Sequence, residues 1–415
     1  MKLNTTKIAA AAVAAIALFT STPAEAQASA TRTATKVVKT TAKKTVAKKV
    51  VAKKTVVKKA AVKPTSTVKS AAVPALGIIG NYSDADMTNL RTAGGASDVL
   101  VEMSWAQAEP TKGVYNEQYF ASIAKRISTL KALGYTISFN TGVHEAPAWL
   151  LNSTGARFVD QNGGVYTDSP EPNLVFGTRY RYLAERYLTT VFARLGDQFS
   201  LVRVGGGHWG ELTYPSKVNP STGKIRNLYY AYDVYAQQAS PVKGWKPGQP
   251  SPNGEAGKFL RWYLTALADY QNWQITALRT AGFAGNAAVL YPSYGMRTGD
   301  LEKAVATNLN GTSSPEINGE VQRGFDMARQ VNALKDKNVI VYGTWAESNA
   351  TVTYLAGLAK AKGLKTMAET SHDMRVDQMP LVMAQAQKNN LAALYIVRQK
   401  ATEIVKATYL IGSVK

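Results

Sequence analysis

The feature that most constrains the fold is a regular alternation, beginning after Pro74, of short β-rich runs with amphipathic segments of helical length. Such alternation is typical of parallel strands joined by crossover helices. The number of runs distinguishes two folds, because eight strands can close into a barrel whereas about five or six would form an open sheet. Eight runs are present, at residues 75–82, 98–105, 135–143, 199–207, 286–294, 338–345, 364–370 and 391–397. The chain is therefore predicted to form a (β/α)₈ TIM barrel.

Segments with the length and polarity of helices lie between these runs, among them residues 116–134, 179–196, 257–282, 320–337 and 349–363. Three of them end on a glycine, which tolerates the left-handed conformation that terminates a helix: Gly134, Gly282 and Gly363. No G-x-G-x-x-G follows the first run. We therefore favour a barrel over a doubly wound sheet and expect no cofactor.

The first 26 residues have the pattern of a secretory signal peptide. Lys2 and Lys7 precede an apolar run at 8–19, and Ala24-Glu25-Ala26 offers a cleavage site. A transmembrane anchor is the alternative, but it needs about 20 apolar residues. We expect cleavage, no remaining transmembrane segment, and a protein that is secreted, periplasmic or associated with the cell envelope.

Residues 27–73 form a segment rich in Lys, Ala, Val and Thr that is predicted to be a disordered tail. The formal charge of the chain is +21, but 13 basic residues and no acidic one lie between Gln27 and Ser83. Residues 84–415 carry 34 basic and 27 acidic side chains, so the basicity belongs mainly to the tail. The segment is either a solvated spacer or a contact to anionic envelope polymers, and export argues against a specific nucleic-acid partner.

The predicted barrel domain, residues 74–415, places four glutamates at or just after the ends of its strands. Glu145, Glu211 and Glu347 follow the third, fourth and sixth runs, and Glu369 lies at the end of the seventh. The carboxyl ends of barrel strands carry the catalytic residues. Glycosidic cleavage needs two carboxyl groups, one to donate a proton and one to attack or to activate water. The alternative for each single glutamate is a solvated loop carboxylate or a structural salt bridge.

Aromatic and imidazole side chains accompany the glutamates. Flat rings at a rim can stack on sugars, although each could equally pack in the core. The candidate substrate-binding residues are Trp105, Glu145, Trp149, His208, Trp209, Trp345 and Glu347. The three histidines, His144, His208 and His372, all follow predicted strands, but no H-x-H or H-E-x-x-H spacing supports a zinc site, and the absence of cysteine excludes thiolate ligands and thiol catalysis.

Two stretches resemble the family 42 β-galactosidases. SWAQAEPTKGVYNEQYF (104–120) resembles that family's Trp, Glu-Pro and Gly-x-Tyr segment, and ISTLKALGYTISFNTGVHEAPAWLL (127–151) is similar to its Pro-Ala-Trp-Leu turn. The resemblance implies an acid/base after the fourth strand and a nucleophile at the end of the seventh. On this sequence those positions are Glu211 and Glu369.

One position departs from that family. Its acid/base follows an Asn, whereas Gly210 precedes Glu211 here. The segment GELTYPS (210–216) instead resembles the β-amylase segment that carries the general acid, and the second catalytic Glu of β-amylases also follows the seventh strand. Both resemblances imply the same pair of glutamates, but one implies retention and the other inversion.

Two functions remain open from the sequence. The protein is either an exported hydrolase of O-glycosidic bonds acting on oligo- or polysaccharide, or a non-catalytic carbohydrate-binding or envelope-associated barrel. The stretch 212–256 is longer than usual and rich in aromatics. We expect Tyr230 and Trp245 to roof the site, with packing on the side of the barrel as the alternative.

Overall fold

The computed structural model describes residues 73–397 and 399–413, so the predicted signal peptide and residues 27–72 lie outside the described part. Eight parallel strands form a closed barrel in sequence order, and β8 pairs with β1. The strands are β1 (Ala75–Ile79), β2 (Asp98–Glu102), β3 (Thr136–Asn140), β4 (Leu201–Val204), β5 (Asn286–Tyr291), β6 (Val339–Gly343), β7 (Lys365–Glu369) and β8 (Ala393–Val397). The predicted barrel is confirmed.

The helices surround the barrel: α1 (Asp84–Thr92), α2 (Trp105–Ala108), α3 (Glu117–Ala132), α4 (Ala148–Leu151), α5 (Arg181–Leu195), α6 (Val234–Ala239), α7 (Glu255–Thr280), α8 (Asp300–Ala306), α9 (Pro315–Gln322), α10 (Met327–Ala333), α11 (Asn349–Ala361), α12 (Met379–Lys388) and α13 (Ala401–Ser413). Several of these helices begin at a residue whose side chain caps the helix. The Asn116 side chain caps α3, and Ser348 caps α11. Just past α3, α7 and α11, Gly134, Gly282 and Gly363 have φ values of 86°, 100° and 67°, as expected of glycines that end helices.

One predicted helix is wrong as a continuous element. Residues 320–337 are divided between the end of α9 and α10, with a turn between them. Gly324 has φ of 83°, which interrupts the helix, and the Asp326 carboxylate accepts a hydrogen bond from the Arg329 amide to cap α10. The apolar periodicity continues through this stretch, but the left-handed glycine ends one helix and the Asp cap begins the next.

The barrel interior is filled by side chains that alternate along the strands. Its apolar cluster includes Tyr342 and Tyr395, together with Ile79, Leu100, Leu201, Ala288, Leu290, Ile340 and Ala393. The Tyr395 ring crosses β1 at Gly77, where a Cβ would lie 2.3 Å from the ring. The Tyr395 hydroxyl pairs with Ser138, which donates to the buried Asp98 carboxylate at the amino ends of the strands. That end of the barrel is therefore closed by a polar network.

The long stretch after β4 packs on the outside of the barrel. Tyr230 has no exposed surface, and Trp245 is 8% exposed. Trp245 lies against Phe259 of α7, with ring centroids 5.7 Å apart, and its indole N–H donates to the Pro250 carbonyl. The prediction that these two rings roof the site is wrong because their apolar faces are covered by α7 and neighbouring loops.

Among the described helices, none is both long enough and apolar enough to cross a bilayer.

Candidate active site

Glu369 is the last residue of β7 and lies at the barrel mouth. Its Oε2 accepts hydrogen bonds from the Tyr342 hydroxyl at 2.9 Å and from Arg203 Nη2 at 3.0 Å. The Glu369 side chain is 13% exposed and that of Arg203 6%. A buried carboxylate needs such partners because burial of an unpaired charge is costly. The pair therefore fixes Glu369 while leaving an edge of it accessible.

Glu211 reaches the same mouth through a loop of glycines after β4. A Cβ at Gly205 would lie 2.0 Å from the Gly210 carbonyl oxygen, so the chain can fold back on itself only because residue 205 lacks a side chain. The Gly207 amide donates to the Glu211 carbonyl at 2.8 Å and closes the turn. The Glu211 side chain then accepts a hydrogen bond from Thr344 Oγ1 at 2.7 Å.

The end of β6 brings the two glutamates together. Tyr342 binds Glu369, and Thr344, two residues further along the chain, binds Glu211. Tyr342 lies in β6, and Thr344 directly follows the last residue of that strand. The two carboxyl groups are therefore held at neighbouring points of one mouth, as a pair acting on a single glycosidic bond requires.

The surroundings of the two carboxyl groups differ. Burial raises the pKa of Glu211, the Thr344 hydrogen bond opposes the rise, and the negative charge of Glu369 adds to it. Burial also raises the pKa of Glu369, but the positive charge of Arg203 and the Tyr342 hydrogen bond oppose it. The adjacent cation thus favours ionised Glu369, while ionised Glu369 favours protonated Glu211.

The wall beside Glu211 is formed by Asn140, the last residue of β3, and by His144, which follows that strand. A Cβ at Gly210 would lie 3.3 Å from Asn140 Nδ2 and 3.5 Å from the His144 ring. Burial, with a smaller contribution from the charge of Arg203, lowers the pKa of His144 to about 4, so its imidazole is neutral at pH 7. Asn140 Nδ2 also donates to Glu102 Oε1 at 3.5 Å. These side chains lie where a larger residue at position 210 would have to fit.

Trp209 is the most exposed of the candidate tryptophans, with 52% of its surface accessible. Its φ of 59° is unusual for a bulky residue. The ring is nearly parallel to His372, which follows β7, with centroids 6.5 Å apart, and His208 meets it edge-on. His208 Nδ1 lies 3.1 Å from the buried Glu171 carboxylate. Trp209 and His208 are thus fixed beside Glu211 with faces open to solvent.

Other candidates have partners within the protein. Glu347 accepts hydrogen bonds from the Ser371 amide and hydroxyl, which ties the loop after β6 to the loop after β7. Trp345 packs edge-on against Tyr294 with centroids 4.7 Å apart. The side chain of Glu145 is 45% exposed and lies 3.9 Å from His144 Nε2. Their contacts position the loops around the mouth.

Trp105 and Trp149 lie away from the glutamate pair. Trp105 has no exposed surface, stacks on Tyr187 at 5.0 Å and donates to the buried Glu109 carboxylate at 2.9 Å. Glu109 also pairs with Arg186. Trp149 packs edge-on against Trp105, and its indole N–H donates to the Glu109 carbonyl. The Trp and Glu-Pro residues of the segment 104–120 therefore stabilise the second connection of the barrel.

Sequence reasoning missed the partners that position the glutamates. Arg203 is a charged residue within an otherwise apolar strand, a pattern that signals a buried partner. Tyr342 and Thr344 lie at and just past the end of β6, where inward-facing polar side chains reach the mouth. Glu102 and Asn140 end β2 and β3 in the same way. The position of these last four residues near strand ends would have been enough to identify them as candidates for the site.

Within residues 73–397 and 399–413 there is no group of three or more His, Cys, Asp or Glu side chains arranged to hold a metal ion.

A closed (β/α)₈ barrel with two partly buried glutamates, one in the loop after β4 and one at the end of β7, has the architecture of a TIM-barrel glycoside hydrolase. The family model of the glycoside hydrolase family 42 β-galactosidases matches residues 80–205. The match ends before Glu211, so it includes neither glutamate. The protein is thus similar to glycoside hydrolases of the β-galactosidase type.

Solved structures with this fold agree. The catalytic domain of the β-amylase from Paenibacillus polymyxa superposes with a TM-score of 0.60 at 16% identity, covering 83% of this chain and 99% of that one. The β-galactosidase from Marinomonas ef1 gives 0.54 at 12% identity, covering 82% of this chain. That from Bacillus circulans sp. alkalophilus gives 0.53 at 13% identity, covering 83%. The chain spans 59% and 57% of these two β-galactosidases. No curated protein sequence matches the chain.

Proposed function

We propose that the protein is an exported hydrolase of O-glycosidic bonds, β-galactosidase-like in substrate, with Glu211 and Glu369 as its catalytic pair. The observation that carries the proposal is the attachment of both carboxyl groups to the end of β6, through Thr344 and Tyr342. The unequal surroundings of the two groups assign their roles. Glu211 is the proton donor, and Glu369, beside Arg203, is the ionised group.

In the proposed reaction, the Glu211 carboxyl donates its proton to the glycosidic oxygen as the bond to the anomeric carbon breaks. Glu369 attacks that carbon and forms a glycosyl ester, and the alcohol leaves. Glu211, now ionised, removes a proton from water, whose oxygen attacks the anomeric carbon and releases Glu369. Arg203 and Tyr342 hold Glu369 in position for attack.

A second candidate is an inverting hydrolase, in which Glu369 activates water directly. It is favoured by Gly210 and the β-amylase-like segment 210–216 that carries Glu211. The configuration of the first product distinguishes the two mechanisms. Proton NMR during the first turnovers on an oligosaccharide substrate reports the anomer that forms before mutarotation. Retained configuration supports the double displacement, and inverted configuration excludes it.

Our first prediction concerns Glu211. Glu211→Gln keeps the side-chain shape and the Thr344 contact but cannot donate a proton, so kcat on an unactivated disaccharide is expected to fall by about 10²–10⁴. Aryl substrates with acidic leaving groups are expected to lose much less. Glu302→Gln, at an exposed position of α8, is the matched control and should retain full activity. Undiminished hydrolysis of the disaccharide by Glu211→Gln would exclude the assignment.

Export is also part of the proposal, and it rests on the basic, apolar and A-x-A sequence of residues 1–26. Expression in a bacterial host tests it by cell fractionation and by the amino-terminal sequence of the product. We expect the protein outside the cytoplasm with Gln27 as its first residue. An intact Met1 on protein confined to the cytoplasm would contradict export and leave the assignment of the glutamates unaffected.

A further inference from the structure

A groove outside the glutamate site is lined by aromatic rings and two cations. It encloses about 300 Å³, within the range of small-ligand pockets. Its lining residues are Lys112, Trp149, Ser153, Arg179, Tyr180, Tyr182 and Leu183. They come from the connections after β2 and β3 and from the start of α5, so the groove opens at the same end of the barrel as the mouth. We call it the Lys112 groove.

Two of the three aromatic walls of the groove, Trp149 and Tyr180, are fixed by their polar tips. The Trp149 indole N–H donates to the Glu109 carbonyl at 2.9 Å, and the Tyr180 hydroxyl donates to the Thr154 carbonyl at 2.6 Å. Tyr182 is 57% exposed. Rings anchored in this way offer preorganised flat surfaces, on which the apolar face of a sugar can stack.

The two cations of the groove are also held in place. Lys112 lies in the turn Thr111–Val114, which is pinned because the Gly113 amide donates to the buried Glu109 carboxylate at 2.7 Å. The Arg179 guanidinium lies 5.6 Å from the centroids of the Tyr180 and Tyr235 rings, and it donates to the Tyr235 hydroxyl. The Arg179 guanidinium is therefore held at a defined position, and Lys112 extends from a backbone turn that is fixed.

Neither cation has an acidic partner. Across the described part of the chain, the ion pairs within 4.0 Å include neither Lys112 nor Arg179, whereas Arg126, Arg186 and Arg194 each pair with a carboxylate. Glu109, the nearest buried carboxylate of the turn, is already paired with Arg186. An anionic group of a ligand in the groove would therefore meet two cations that no carboxylate of the protein already pairs with.

From these contacts we infer that the Lys112 groove is a second carbohydrate site, separate from the glutamate pair, that binds a saccharide carrying an anionic group. Stacking on Trp149 and Tyr182 accounts for the sugar, and Lys112 with Arg179 accounts for the carboxylate or sulfate. The site shares no lining residue with the pair of Glu211 and Glu369 and makes no bond, so binding does not depend on turnover. It would hold an acidic polysaccharide beside the barrel mouth.

The test is calorimetric binding to the full mature chain carrying Glu211→Gln, at about 0.15 M salt, where exposed charges beyond about 8 Å are screened. The probes are digalacturonate, a sulfated galactobiose and neutral galactobiose. We expect at least one of the anionic disaccharides to bind at least tenfold more tightly than the neutral one. Their comparison shows whether the groove prefers carboxylate or sulfate.

Variants locate the binding. Lys112→Ala with Arg179→Gln should abolish the preference for the anionic probes, and Tyr182→Ala should weaken all probes in parallel. Lys125→Ala, at an exposed position of α3, removes one charge elsewhere and should change nothing. All of these variants and the Glu211→Gln parent carry the same Lys-rich segment, so its contribution to affinity is the same in each of them. Equal affinity for charged and neutral probes, or equal loss with Lys125→Ala, would overturn the inference, whatever the outcome for hydrolysis. Tyr182→Ala changes an exposed side chain and keeps the test valid if the double variant fails to fold.

Discussion

Single residues around the mouth carry the proposed chemistry, and the same pair of glutamates is expected to affect stability. Glu211 and Glu369 are both partly buried, and this burial raises the pKa of each. A carboxyl whose folded pKa lies above its unfolded value destabilises the native state once it must ionise. The site therefore sacrifices stability at neutral pH for a protonated group where one is needed.

Our second prediction follows from that sign. Below the unfolded pKa of about 4.3, Glu211 is protonated in both states and Glu211→Gln should unfold with nearly the parent free energy. As pH rises from there through the raised folded pKa, the parent protein loses stability through Glu211 and the variant does not, while the contribution of Glu369 is present in both. The expected gain is about 1.4 kcal/mol per unit of pKa elevation. Urea unfolding between pH 4 and 8 measures it, with Glu302→Gln as a control. A gain that is constant across this range would contradict the raised pKa.

The third prediction concerns Trp209, whose φ of 59° is costly for any residue with a Cβ. Trp209→Gly and Trp209→Ala both remove the ring, so both should raise KM for oligosaccharides to the same extent. Only glycine relieves the backbone strain, so Trp209→Gly should exceed Trp209→Ala in free energy of unfolding by about 1 kcal/mol. Unequal KM values for the two variants would show that the backbone, and not the ring, decides substrate binding.

At the scale of elements, the strands place the residues and the glycines permit close approach. β1 passes under the Tyr395 ring, and the barrel closes at that point only because residue 77 has no side chain. By contrast, Gly357 on α11 has open space around its Cβ position and an ordinary φ. The two glycines therefore have opposite roles, one required by packing and the other without a structural need.

Our fourth prediction uses this contrast. Gly77→Ala should lower the free energy of unfolding by about 1–3 kcal/mol because the new methyl overlaps the Tyr395 ring. Gly357→Ala should raise it by about 0.5–1 kcal/mol because alanine is the better helix former. Chemical denaturation of both variants provides the measurement. A Gly77→Ala protein as stable as the parent would show that β1 can shift away from the ring.

At the scale of the whole molecule, charge is distributed unevenly along the chain. The 13 basic residues between Gln27 and Ser83 have no acidic neighbours, whereas residues 84–415 carry nearly balanced charge. Any electrostatic attachment to an anionic polymer is thus expected from the amino-terminal segment, and the proposed catalysis from the barrel. Tail and barrel are expected to act independently.

The fifth prediction is that deletion of residues 27–72 leaves kcat and KM on small aryl glycosides unchanged. Retention on an anionic matrix should fall at low salt, and the difference should shrink as ionic strength rises because screening weakens exposed charges. Column retention from about 0.01 to 1 M salt tests it. If both proteins are retained equally at low salt, the segment is only a spacer.

The sequence by itself determined the barrel, because the strand runs and helix-ending glycines such as Gly134 are local signals that packing had only to accept. It also located Glu211 and Glu369 near strand ends, because the end of a strand can be recognised from the linear sequence alone. Tertiary structure decided the rest. Only the closed barrel brings Arg203 to Glu369 across 166 residues, and only packing covers Trp105 and Tyr230. An aromatic residue in a connection has the same sequence signature whether it packs or binds, because which face is covered depends on elements distant in the chain.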